Sequence, residues 1–456
     1  MASLNLLAFT IHGFALGAPS NGTQQKCANS RYEKQPRAFI CTDMSNEPDD
    51  QMSLVRLLTY ANEINITGIA GVTSTWLNDT TDVATIRTVI SAYGDVVDNL
   101  NSNLMAGAQK YPTSAEILQR VVEGWPVYGL AALSQETLST GAQRLIQEAD
   151  HSTSSKPLYV ALWGGANVLA EALNHISRKR ESLAIANFVA SLRVYSISDQ
   201  DDAGLWIRTQ FPKLFYVVSL HGFSEYTQAT WNGISGETFR HFDAGGPDSK
   251  IVSNEWLSTH IRIGPLGLHY PKYEFIMEGD TPSFFPLVQN GLGDAEHPEW
   301  GSWGGRYLLQ DFSGRSYVYA DTADFVVANN QTFLSKFATI WRWREAYQFD
   351  FAARMGWTTG SFAENNHAPV VVVNESCGPD PLNIQYKLNE TIVLDAGESW
   401  DPDGDRLTFD WTYYRDVTER LEGKIPTVSP NVAIEMSKTQ PGVAMITPKE
   451  NTVSYS

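Results

Sequence analysis

The chain has 456 residues, 43% of them hydrophobic and 11% aromatic, enough to bury a sizeable core in two or three domains. Its formal net charge of −18 argues against a nucleic-acid partner, because such binding draws on Lys and Arg to neutralise phosphates. Only Cys27, Cys41 and Cys377 are present, so at most one disulfide forms, one thiol is left over, and the fold does not rest on a disulfide framework.

Residues 4 to 18 make an apolar segment ending in small residues, shorter than the roughly 20 needed to span a bilayer, and read as a signal peptide over 1–18. Sequons begin at Asn21, Asn65, Asn78, Asn330, Asn374 and Asn389, and with the leader they predict a secreted, N-glycosylated protein. No later apolar run is long enough for a transmembrane helix. Residues 19 to 36 are polar and read as a flexible lead-in.

Between Phe39 and Leu58 an apolar run breaks into Asp43, Glu47, Asp49 and Asp50, then resumes with Leu54, Leu57 and Leu58 on one helical face. This predicts strand, acidic loop and helix, with Pro48 suited to the first turn. One or two first-turn acids are explained by the helix dipole, whereas four repel one another unless a cation sits among them. Clustered hard oxygens without His or Cys favour Ca²⁺ or Mg²⁺. The competing reading is capping plus a solvated surface.

Further along, Ile64–Thr73 predicts a strand and Asp82–Val97 a helix, followed by a candidate strand at Leu104–Gly107. Pro157–Trp163 leads through Gly164-Gly165 into the helical Ala166–Leu173, Leu192–Ile197 leads into Ser198–Asp202, and Phe215–Ser219 is another strand. Alternation of this kind predicts a mostly parallel α/β sheet with helices on both faces. Its ligands would sit beyond the strands' carboxyl ends, where Asp43, Thr73, Trp163-Gly164 and Asp199 all fall. From Trp231 to Arg306 periodicity fades into a Gly-, Pro-, His- and Trp-rich stretch too long for an idle connection. Helices are expected again from Asn330 to Arg354, where Trp341 and Trp343 read as core.

Asn365–Pro369 marks a boundary. Beyond it Pro369–Val373, Thr391–Asp395 and Leu407–Trp411 read as strands of an Ig-like β-sandwich, with Asp401-Pro-Asp-Gly-Asp405 a tight turn whose acids are also candidate calcium ligands. From Asp416 the pattern degrades, which predicts a truncated sandwich whose open edge would pair with another chain, as in a homo-oligomer. The expected divisions are 1–18, 36–365 and 366–456.

The string Thr42-Asp-Met-Ser-Asn-Glu-Pro-Asp-Asp50, together with Gly279-Asp-Thr-Pro-Ser-Phe284 and Asn290–Arg306, resembles the nucleoside-hydrolase-like family often labelled cellulose-binding protein, over about residues 36 to 420. The Asp-Asp pair resembles the calcium loop of nucleoside hydrolases, with two residues inserted after Asp43. The resemblance implies a Ca²⁺-activated water attacking an anomeric carbon, with Asp43 as general base and ligand, and Asp50, Asp280 and the main-chain carbonyl of Trp163 as further ligands. It puts Asp49 at the ribose hydroxyls, and Asn167 closes the matched Trp163-Gly-Gly-Ala-Asn167 run of the substrate site. Asp199 and Asp201 are further candidate sugar-hydroxyl acceptors, weighed against a capped helix start. Gly279 stands where many relatives place the histidine that protonates the leaving group, so His297 or Glu296 becomes the candidate acid, against a structural role for either. Two functions follow: a secreted hydrolase of N-ribosyl or related glycosyl bonds acting on a nucleoside or glycan, or a carbohydrate-binding protein on a disabled scaffold, with Trp300 and Trp303 contacting glycan.

Overall fold

Arg37–Thr42, the apolar run before the acidic loop, forms strand β1 of an eight-stranded sheet in the computed structural model. Residues 9–13, 27, 30, 34–235, 243, 246–377, 380–418 and 432–449 are described. The signal-peptide, lead-in and Asn21 expectations fall mostly outside them, as does the end beyond Lys449. Of the leader only Phe9–Gly13 is described, paired antiparallel with Leu407–Trp411.

The other strands are β2 (Asn65–Gly71), β3 (Val121–Glu123), β4 (Leu158–Leu162), β5 (Leu192–Ser196), β6 (Phe215–Val218), β7 (Tyr307–Leu309) and β8 (Val318–Asp321). Their order is β3-β2-β1-β4-β5-β6-β8-β7, parallel throughout except for β7 against β8. The pleat of β1 sends Ala38 and Ile40 to one face and Phe39 and Cys41 to the other, and each pair joins a separate apolar core. On the first face α1 (Pro48–Leu58), α2 (Val83–Gly94) and α5 (Arg344–Trp357) cover the sheet; on the second, α3 (Asn167–Lys179) and α4 (Ala203–Gln210) do. Fully burying a side chain such as Leu57 stabilises by about 1.5–3 kcal/mol, which is why both faces carry helices. The mostly parallel sheet expected from the alternation is present.

Three stretches differ from expectation. Leu104–Gly107 forms no strand. Asn330 does not open a helix: Asp324–Ala328 and Gln331–Ser335 pair as a hairpin whose turn residues Asn329 and Asn330 have φ of 51° and 59°, a left-handed pair that Asn tolerates. Strands also form at Val432–Met436 and Val443–Pro448, beyond the point where the sequence pattern degrades, and with Ile392–Asp395 they make a three-stranded antiparallel sheet. This C-terminal part has its own core, including Leu394, Trp411, Ala444 and Ile446. A Cys27–Cys377 disulfide leaves Cys41 as a buried thiol. No helix among the described residues is long and apolar enough to cross a membrane.

The expected boundary near Asn365 is crossed by a charged cluster. Asp324 is fully buried and accepts from Arg306 Nε (2.7 Å), Arg342 Nη1 (2.8 Å) and Tyr414 Oη (2.6 Å), while Asp416 accepts from Phe325 N (2.8 Å). Ending the chain at Asn365 removes Tyr414 and Asp416 but leaves both arginines on Asp324. We expect the shortened protein to keep its ion-binding capacity and to lose about 1–3 kcal/mol for the lost partners, read as a lower melting temperature. Unfolding of the first domain would place the boundary elsewhere.

Candidate functional site

The carboxyl ends of β1, β2, β4 and β5 gather one rim. Asp43 follows β1, its carboxyl lying against the backbone of Gly164 so closely that a Cβ there would meet Oδ1 at 2.7 Å. Ser74, just beyond β2, lies beside the Asp43 carboxyl and favours its ionised form; its Oγ accepts from Trp76 N (3.3 Å) and Leu77 N (3.2 Å). Burial raises Asp43 to about 6, against the lowering effect of Ser74 and of its own backbone N–H.

Helix α1 begins at Pro48 after an extended Glu47 whose side chain makes no cap hydrogen bond. Asp50 is buried and accepts from Thr42 Oγ1. One carboxylate oxygen each from Asp49, Asp50 and Asp280 lies within 4.8 Å of the others. Burial pushes Asp50 and Asp280 well above the usual carboxylate range, and the charges of the neighbouring acids, Asp43 among them, push further. Asp49, which keeps partial solvent contact, rises to about 8 through burial and the charges of Glu47 and Asp43. Asp43 Oδ2 and Asp280 Oδ2 are buried with no hydrogen-bond partner among the described residues. Unpartnered buried carboxylate oxygens beside other acids fit a hard divalent cation.

The grouping departs from expectation in one exchange. Asp49, placed by resemblance at the sugar hydroxyls, belongs to the close triad, while Asp43, packed against Gly164, borders it. The Trp163 carbonyl accepts from Gln200 Nε2, and the indole Nε1 donates to Ser283 Oγ (2.8 Å), which donates to Asp280 O (2.7 Å). Gln200 had no sequence signal; its own carbonyl accepts from Thr75 N and Thr75 Oγ1 (both 2.7 Å), tying the loops after β2 and β5.

Other candidates have partners within the fold. Asn167 Nδ2 donates to Thr73 Oγ1 (3.1 Å) and its Oδ1 accepts from Val168 N (2.9 Å). Asp199 forms a two-pronged pair with Arg208 (2.7 and 2.6 Å). Asp201 accepts from Ala166 N (2.8 Å) and from Ala203 N (2.9 Å) at the first residue of α4, tying the loop after β4 to that helix. Glu296 accepts from Tyr159 Oη (2.8 Å) and Arg193 Nε (2.7 Å), both at second positions of their strands. It therefore sits toward the strands' amino ends, and at about 3.3 Å per residue a five-residue strand keeps it far from the acid rim. The adjoining His297 bonds Glu299 (2.9 Å) and stacks on Trp300, so neither is placed to protonate a leaving group at the triad. Trp303 is buried against Phe285 and Tyr347 and offers no face to a glycan.

Gly279 explains the missing histidine. A Cβ there would lie 2.6 Å from Asp49 Oδ2 and 3.3 Å from Trp231 Cζ3, so acid and indole already fill the space of a side chain. Gly279→His is accordingly expected to lose ion affinity by about tenfold or more rather than gain leaving-group protonation. Isothermal titration with calcium checks this, and unchanged affinity would mean that Asp49 can yield.

Comparison with known proteins agrees with this architecture. No curated protein matches the chain. Among solved structures, a nucleoside hydrolase-related hypothetical protein from Saccharophagus degradans, described as associated with carbohydrate metabolism, is 29% identical over 92% of each chain with a TM-score of 0.73. Residues 391–454 match the family described as cellulose-binding protein Sde0182, C-terminal domain. Residues 37–307, which carry six of the sheet's eight strands and every acid of the rim, match the family described as cellulose-binding Sde182, nucleoside hydrolase-like domain, and to that family the chain belongs.

Proposed function

We propose that the protein is a calcium-dependent hydrolase of glycosyl bonds, N-ribosyl or related, working at the rim formed by Asp43, Asp49, Asp50 and Asp280. The observation that carries this reading is the pair of unpartnered buried oxygens, Asp43 Oδ2 and Asp280 Oδ2, among acids that repel one another. Asp49, Asp50 and Asp280 would hold the ion, and the Trp163 carbonyl, whose second lone pair is left by Gln200, is a further donor. Bound there, Ca²⁺ would lower the pKa of a coordinated water and engage sugar hydroxyls. Asp43 takes the water's proton on Oδ2, while Ser74 keeps the carboxyl oriented. Gln200 and Trp163 hold neighbouring loops in register beside the rim.

A second reading, carbohydrate binding without turnover, is favoured by one observation: the position of the leaving-group histidine is filled by Asp49 and Trp231. The family's cellulose-binding description fits it as well. The Cys27–Cys377 disulfide suits an oxidising compartment, in line with secretion. Purified protein should be analysed for bound calcium and assayed on inosine, uridine, p-nitrophenyl glycosides and cello-oligosaccharides, with and without chelator. Chelator-sensitive turnover supports the hydrolase. Bound calcium with oligosaccharide retention and no turnover supports the binder, and a protein that takes up no calcium overturns the site.

A further inference from the structure

Arg56 and Glu278 are fully buried, and neither belongs to the acid rim. Arg56 stands in the last turn of α1, the helix whose first turn carries Asp49 and Asp50, and Glu278 stands two residues before Asp280. The guanidinium grips both Glu278 oxygens, through Nε and through Nη2 (3.0 Å), and its Nη1 donates to Tyr347 O (2.9 Å). Its Cζ lies over the Phe351 ring, 4.0 Å from the centroid, which helps hold the fork in place. Glu278 also accepts from Tyr270 Oη and from Thr281 Oγ1 (2.9 Å), and Thr281 Oγ1 meets Ser53 Oγ of α1 at 3.0 Å. Asp280 is thus bracketed: the residue two before it and the residue after it are both tied to the helix that carries the other two acids.

Two facts separate this from ordinary packing. A buried ion pair is a poor source of stability, because desolvation offsets its attraction and apolar residues of similar volume often serve as well. Glu278 also has φ of 54°, a left-handed conformation that costs a non-glycine residue energy unless the surroundings hold it there. A two-pronged charged bond between two specific backbones sets a distance that apolar packing leaves loose.

We propose that the Arg56–Glu278 pair, with Thr281 and Ser53, is the positioning element of the cation site, setting the separation of Asp49 and Asp50 from Asp280. This rests on the cation reading of the rim. The test is calcium affinity by titration calorimetry, with terbium luminescence as a second probe, on full-length protein, beside melting temperature without metal. Arg56→Met with Glu278→Leu is expected to keep the fold and to weaken calcium about 10- to 100-fold. Thr281→Val, which changes no charge, should weaken it about tenfold and Thr281→Ser should restore it, covering the case in which the double variant does not fold. A loss of affinity without a matching loss of melting temperature, and its rescue by serine, is what a merely stabilising pair would not produce. Wild-type affinity in the folded double variant or in Thr281→Val overturns the positioning role alone. Failure of the wild type to bind either ion overturns the cation site and this inference with it.

Discussion

Replacing Asp43 with asparagine is expected to lower glycosyl-bond hydrolysis by about 10²–10⁴-fold, the range for losing a positioned general base. The amide keeps the volume that Gly164 accommodates and can still accept from Ser74, so the loop after β1 need not move. Stability at pH 7 should not fall. Burial raises the Asp43 carboxyl to about 6, so its ionised form is a burden in the metal-free fold, and asparagine removes that burden. Calcium affinity should drop less than in Asp280→Asn, because Asp43 borders the close triad whereas Asp280 is one of its three members. Steady-state rates on the substrates named above, with calorimetry on the same samples, decide the matter; undiminished turnover would assign the base elsewhere.

Removing calcium should invert the pH dependence of stability. In the metal-free protein Asp43 sits at about 6, Asp49 at about 8, and Asp50 and Asp280 higher than the usual range, all above the roughly 3.9 of an unfolded Asp. The folded state then binds more protons than the unfolded state from about pH 4 upward, so stability declines as pH rises through that window. The chelated protein should melt at a lower temperature at pH 8 than at pH 5. With calcium at 100 times its Kd, binding adds about 2.7 kcal/mol, most of it at pH 8, where the ion does not compete with protons. Asp280→Asn should remove that stabilisation and flatten the chelator effect. Differential scanning calorimetry at the two pH values checks both arms, and a melting temperature indifferent to calcium at pH 8 contradicts the cation site.

The acidic rim was legible because repulsion among Asp43, Asp49 and Asp50 is local and strand-end placement follows from the alternation of elements. Which acids share an ion was not. Asp49, Asp50 and Asp280 form the close triad, while Asp43 packs against Gly164, a residue distant in sequence. Glu296 and His297 are candidate acids in the sequence because Gly279 stands at the histidine position, and the Trp231–Arg306 stretch has no periodicity to show which end of the sheet it reaches. The bonds of Glu296 to Tyr159 and Arg193 place it toward the amino ends.

Apolar periodicity and turn chemistry by themselves determined the parallel sheet, the helix opening at Pro48, the C-terminal strands at Ile392–Asp395 and Leu407–Trp411, and the concentration of charge after β1. Those features depend on contacts between residues a few positions apart or on a regular alternation along the chain. Only the tertiary structure decided that Gly279 is filled by Asp49 and Trp231, that Arg56 grips Glu278, and that Tyr414 and Asp416 bind the first domain across the expected boundary. Each joins segments tens to hundreds of residues apart, where side-chain reach and the direction of a single carboxyl set the partner and neither leaves a period in the sequence.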